Sequence, residues 1–195
     1  MKKIFFIVIT TLHASLVFGQ EKPLETYLEK EEKLEKRSMI ALTSWGGLNL
    51  ISGAIGWRTS TGESSYFHQM NASWGLINAG IGTAALLIHK NKSTTIQDAL
   101  QSSHRTEKIL YLNTGLDVAY VTAGFLFKSA SKNNPENAMR FQGFGNSLLI
   151  QGGFLLLFDI TQIILHTRHR NLNRDSLWDN LSMSESGLGF KYTFR

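Results

Sequence analysis

Residues 39–57 read MIALTSWGGLNLISGAIGW, nineteen positions without an Asp, Glu, Lys or Arg. A helix rising ~1.5 Å per residue needs about 20 such residues to cross the hydrocarbon of a bilayer. Three further blocks repeat the pattern: 67–89 with 23 residues, 109–127 with 19 and the single charge Asp117, and 141–166 with 26 and the single charge Asp159. A water-facing helix carries a charged outer face, and these blocks have none. The pattern therefore predicts an all-α, multi-pass transmembrane four-helix bundle.

The averages hide this. The chain has 195 residues, 20 Lys plus Arg against 15 Asp plus Glu, and no Cys, with a mean hydropathy of −0.09, values of an ordinary soluble domain. Yet the four blocks and residues 4–19 together hold only Asp117 and Asp159 of the 35 charges. Such segregation excludes a disordered chain and argues against a nucleic-acid reader, whose basic residues would line one face. The absence of cysteine excludes disulfides, thiolate metal sites and a cysteine nucleophile.

Met1-Lys2-Lys3, the apolar run Ile4 to Phe18 and the small residue Gly19 before Gln20 form a secretory signal, with cleavage expected after Gly19. The expected division is a signal peptide over 1–19, a charged helical extension over 20–38, a four-helix membrane domain over 39–166, and a polar tail over 167–195. Arg58–Tyr66 and Ser129–Arg140 read as loops joining antiparallel neighbours. Glu29 with Lys33 and Glu32 with Lys36 are favourable i,i+4 pairs, and Thr95 before Asp98 reads as a helix cap. Helical extensions are thus expected on one side. The alternation of Leu188, Phe190, Tyr192 and Phe194 is strand-like.

A cleaved signal places the extension, the loop 90–108 and the tail outside the cytoplasm, with 14 basic residues outside and 4 inside. That runs against the positive-inside tendency. The signal commits the N-terminus before later loops emerge, so it decides the expected placement: a bacterial cell membrane with an exported N-terminus. The strand-like tail leaves an outer-membrane association open, where the rule would not apply.

An internal repeat connects the first two blocks. Trp45-Gly46-x-x-Asn49-x-x-x-Gly53 returns as Trp74-Gly75-x-x-Asn78-x-x-x-Gly82, each residue offset by 29. Thirteen of the 17 glycines fall in the four blocks, as close helix approach in lipid requires. Helical spacing gives each block one polar or small stripe. From the midpoints of the blocks, Asn49, Asn78, Asp117 and Gln151 are expected to meet near one plane, with Trp45, Asn113 and Asp159 in a layer displaced toward the N-terminal side.

A charged Asp in mid-bilayer costs at least ~2.5 kcal/mol on insertion scales, so such residues turn inward and find partners. Two uses fit: polar groups that fasten the bundle, or a site for a proton, ion or small solute. His166 and His169 are spaced for joint metal ligation, and His89 falls on the same side, but no matching pair faces them. Paired aspartates also serve aspartyl proteases, whose motifs the flanks of Asp117 and Asp159 resemble only faintly. No G-x-S-x-G, P-loop, G-x-G-x-x-G or H-E-x-x-H pattern occurs. No catalytic residue, metal or cofactor is therefore assigned.

The WG-x-x-N pair, Tyr66-Phe67-His68-Gln69-Met70-Asn71, Asn113-x-Gly-x-Asp117 and Gln151-Gly-Gly-Phe154-x-x-x-Phe158-Asp159 together resemble an uncharacterised family of bacterial proteins with a signal peptide and four membrane helices. The likeness covers about residues 35–166. It implies architecture and carries over no catalytic residues. The expected role is a non-enzymatic scaffold or interaction protein in the lipid bilayer, engaging a protein through its tail or extensions and no nucleic acid. The alternative is a proton-coupled or small-solute transport component using Asp117 and Asp159.

Overall fold

The computed structural model describes the backbone of residues 2–88, 93–178, 182–184 and 187–189, and the side chains of 24–88 and 93–173. Four long helices build it: α1 Lys2–Thr59, α2 Gly62–Leu87, α3 Ile96–Ala130 and α4 Ala138–Trp178. Helix α1 packs mainly on α2, α3 packs mainly on α4, and α4 joins the two hairpins. The stretch of α1 around Tyr27, the first turns of α3 and the last turns of α4 meet, where Tyr27 touches both Ser103 and His169. Thr95 caps α3, its side chain accepting from the Asp98 amide at 3.1 Å, and Glu29 and Lys33 form an exposed ion pair at 3.6 Å.

The connections are tighter than the sequence suggests. Only Ser60 and Thr61 separate α1 from α2, because Gly62, at φ +60°, takes the turn in the left-handed region. The segment from Glu63 to Tyr66, expected as loop, is the first turn of α2. The second expected loop is largely two 3-10 turns, Ser131–Asn133 and Pro135–Asn137, the latter capped by Asn134. Helix α4 also continues well past residue 166, so the first 12 residues of the expected tail, 167–178, are helical. Beyond it, Ser182–Ser184 pairs antiparallel with Gly187–Gly189; the rest of the strand-like segment, from Phe190, lies outside the described residues.

Three helices, Leu24–Thr59, Ile96–Asn133 and Pro135–Asn173, contain a stretch long and apolar enough to cross a membrane. Helix α2, expected as a fourth span, is not among the three. That helix has no charge after Glu63, but Asn71 and Asn78 lower its hydropathy, and both are buried against its neighbours.

The glycine repeat forms the α1–α2 seam. A Cβ on Gly46 would meet the backbone of Ala79 and the Gly75 carbonyl, and one on Gly75 would meet the backbone of Leu50 and the Gly46 carbonyl. Gly53 lies equally close to Ala72, and Gly82 to Thr43. Two copies of one motif, run antiparallel, thus supply the same small face to each other. Gly124 and Gly145 repeat the device between α3 and α4. Gly47, Gly80, Gly115 and Gly153 face open space instead, so only part of the glycine content serves packing.

Candidate functional site

The interior of the bundle is polar and its outside apolar. Among the described residues, 14 polar or charged residues are buried, glycine aside, against five apolar ones, Tyr27, Leu42, Ala72, Ala99 and Leu148. Large apolar side chains face outward instead, among them Leu48 at 68% exposure, Leu87 at 75% and Leu157 at 70%. In water this arrangement would forfeit the burial of apolar surface that drives folding, on the order of 25 cal/mol per Å².

Gln151 on α4 is the hub of the interior, with no exposed surface. Its Oε1 accepts from Trp45 Nε1 at 2.9 Å, and its Nε2 donates to Asn49 Oδ1 at 2.8 Å and Asn71 Oδ1 at 3.1 Å. Ser147, one turn before Gln151, donates to the same Asn71 oxygen at 2.6 Å. Asn49 turns its own amide back to the Trp45 carbonyl at 2.8 Å. Three helices are thereby tied through amides, and the Trp45 ring lies flat on Phe154, centroids 3.9 Å apart and planes 9° apart.

The aspartates form a second cluster. Asp117 on α3 and Asp159 on α4 lie side by side, and Asn113 lies beside Asp159. Both residues are buried, and Asp117 Oδ2 is enclosed without a partner. Asn78 on α2 is buried too, its Nδ2 also without a partner. Beside it, Trp74 meets Tyr120 of α3 edge-on at 4.8 Å.

The expected layering is therefore redrawn. Trp45 belongs with Asn49 and Gln151, and Asp117 belongs with Asp159 and Asn113, so the plane and the displaced layer exchange members. The long fourth block fixes its own midpoint poorly, and a slip of a few residues moves Asp159 level with Asp117. Asn71 and Ser147 were missed, although the spacings Asn71 to Asn78 and Ser147 to Gln151 put each on a polar stripe already read.

A third cluster lies beyond the apolar blocks, among the helical extensions, and sequence reasoning missed it. Tyr27 hydroxyl and Ser103 Oγ are 2.5 Å apart, and Ser103 donates to Glu31 at 2.5 Å. Arg170 pairs with the buried Glu107 at 3.1 Å and donates to His104 Nδ1 at 2.6 Å. His169 stacks on Tyr27 with ring centroids 4.6 Å apart. Burial pushes the Tyr27 hydroxyl above its ordinary range, and burial, with Lys30 nearby, holds His169 below its own. His166 is buried, and His89 lies outside the described residues. No three of His, Asp and Glu gather to hold a metal ion among the described residues.

Fold and site together define a class: an all-helical bundle, hydrogen-bonded inside and apolar outside. Within it, the chain belongs to DUF6992, a family of unknown function, whose profile matches residues 41–160. That range contains both copies of the tryptophan–glycine–asparagine repeat, the Gln151 hub and the aspartate pair, and excludes the Glu31–Tyr27 end. No curated protein and no solved structure matches the chain.

Proposed function

We propose that this chain is an exported integral membrane protein of four passes, and that it acts as a non-enzymatic scaffold or interaction protein in a bacterial cell membrane. The observation that carries the proposal is the inverted molecule: amides, carboxyls and glycine backbones inside, Leu48, Leu87 and Leu157 outside. In lipid, helix association draws on close packing and interhelical hydrogen bonds, since an apolar exterior gains nothing by burial. Helix α2 then makes the fourth pass, its asparagines turned to its neighbours. Cleavage after Gly19 is supported by Pro23, which would break the ladder inside an uncut α1 but falls in the first turn of a helix starting at Gln20.

The scaffold role is supported by how the interior spends its polar groups. Every oxygen and nitrogen of the Gln151 amide engaged above is bonded to another helix, which fastens the bundle and leaves the extensions and tail to meet a protein partner. Membrane fractionation tests the placement: the protein should stay in the pellet after an alkaline carbonate wash and leave it only with detergent. Release by carbonate would overturn the reading. Reporters active on one side only, fused to the C-terminus, should report an external terminus, either at the cytoplasmic membrane or in association with the outer one.

One observation favours a second reading, a proton-coupled or small-solute transport component. The Asp117 and Asp159 carboxyls lie side by side in the interior, with Asp117 Oδ2 and Asn78 Nδ2 both buried and unpartnered. In reconstituted vesicles, proton flux in the wild type that D117N and D159N abolish without unfolding would select transport. Absence of flux in the wild type leaves the scaffold.

A further inference from the structure

Between α1 and α4, on the outer face, lies a groove of about 720 Å³ whose two ends differ in chemistry. Its mouth carries Lys30, Lys33 and Arg37, which the spacing i, i+3, i+7 puts on one face of α1. Beyond the Ser38–Gln162 contact it is apolar, with Ala41 from α1 and Phe154, Leu157 and Phe158 from α4, while Leu34 and Leu165 lie among the cations. No acidic residue lines it. The carboxylate paired with Lys33 is Glu29, in an exposed contact of 3.6 Å, and such surface pairs hold their partners weakly. At the junction Ser38 donates to Gln162 at 2.5 Å, which closes the groove toward the bundle interior.

We propose that this groove holds one anionic phospholipid, its phosphate among Lys30, Lys33 and Arg37 and an acyl chain along Phe158 and Phe154. The proposal rests on the membrane placement above. The cations end two residues before the uncharged block that begins at Met39, which puts them at headgroup depth, while Phe154 lies at the level of Trp45, its stacking partner, inside the hydrocarbon. Basic residues beside a membrane attract anionic lipid, each adding to the affinity, and long basic side chains reach the interface while their stems cover apolar surface. The complementarity is therefore double: cations meet a phosphate where headgroups lie, and aromatic rings meet an acyl chain where chains lie. A free phosphate would use only the first half, and a zwitterionic lipid would add a competing cation at the mouth.

Native mass spectrometry of the full chain in detergent tests this, with phosphatidylglycerol and phosphatidylcholine of matched acyl chains as probes, and inorganic phosphate as competitor. Phosphatidylglycerol should be retained one per chain in preference to phosphatidylcholine, and the exposed triple variant K30Q/K33Q/R37Q should lose at least about tenfold of that preference. F158A should weaken retention of both lipids while leaving the preference intact. Equal retention of the two lipids, or a preference that survives the triple variant, overturns the site. Full displacement by inorganic phosphate would mark a free-anion site, and a dimer that excludes lipid and dissolves in the triple variant would give the groove to a second copy; either result overturns the proposal. A chain that fractionates without detergent would instead overturn the membrane placement itself.

Discussion

Gln151 Nε2 and Asn49 Oδ1, on helices whose sequence positions differ by 102, meet at 2.8 Å in the centre of the bundle. The contact is one of three that Gln151 makes to other helices, the others reaching Trp45 and Asn71. Asn49 and Asn71 are buried and Trp45 is partly so.

Replacing Gln151 with Leu keeps the volume and removes all three bonds. At about 0.6 kcal/mol for an interhelical bond in a membrane, Q151L should lose roughly 2 kcal/mol, and somewhat more because Asn49 Oδ1 and Trp45 Nε1 lose their partner while Asn71 keeps Ser147. Thermal unfolding in detergent measures it. A melting temperature equal to that of the wild type would show that the hub contributes nothing to stability.

The glycines allow a prediction of opposite signs at adjacent positions. A Cβ on Gly46 runs into the backbone of Ala79, which has no side-chain freedom with which to give way, whereas one on Gly47 meets nothing within 4 Å. G46A should therefore cost ~1–3 kcal/mol through separation of α1 from α2. G47A should stabilise by up to ~1 kcal/mol, because Ala is the better helix former. Parallel melts of the two variants check both signs, and equal effects would remove the close seam from the account.

What the sequence made legible was the lengthwise pattern. The uncharged blocks marked the helices, Thr95 marked the start of α3, and the repeat at Trp45 and Trp74 marked the α1–α2 seam. What it concealed was lateral. Gly62 and the serines after it have turn chemistry, yet Gly143 of α4 packs so closely on the backbone of Glu63 and Phe67 that the segment is drawn into the helix. The partners of Asp117 depended on how far α4 slides past α3, which a 26-residue apolar block cannot fix. Glu31 and Glu107 stand in stretches as charged as any solvated helix, and nothing in one helix alone reveals that Ser103 and Arg170 await them on others.

Those hidden partners carry their own prediction. Arg170 and Glu107 are both shielded, with side chains 16% and 8% exposed, so removing the cation leaves a carboxylate enclosed. R170Q should cost on the order of 3 kcal/mol, and the double variant E107Q/R170Q should recover much of it, because loss of one partner is worse than loss of both. A double-mutant cycle on thermal stability separates the coupling from the single losses. Additive losses would mean that the pair is an incidental surface contact.

The Tyr27–His169 stack adds a pH dependence whose direction follows from burial. His169 lies beyond the apolar blocks, and its burial, reinforced by Lys30, holds it below its ordinary value near 6.5, while a hydrogen bond with the Tyr27 backbone opposes the shift. The folded chain thus binds the proton less well than the unfolded one. Stability from this group is complete above about pH 6.5 and is lost as the pH falls toward the folded value, since the unfolded state takes up the proton first. The melting temperature in detergent should accordingly fall between about pH 7.5 and pH 5.5. H169F keeps an aromatic ring on Tyr27, 4.6 Å away in the wild type, and removes the titration. Its melting temperature should fall less over the same interval. An equal fall in both proteins would assign the acid sensitivity to other groups and leave His169 only its packing role.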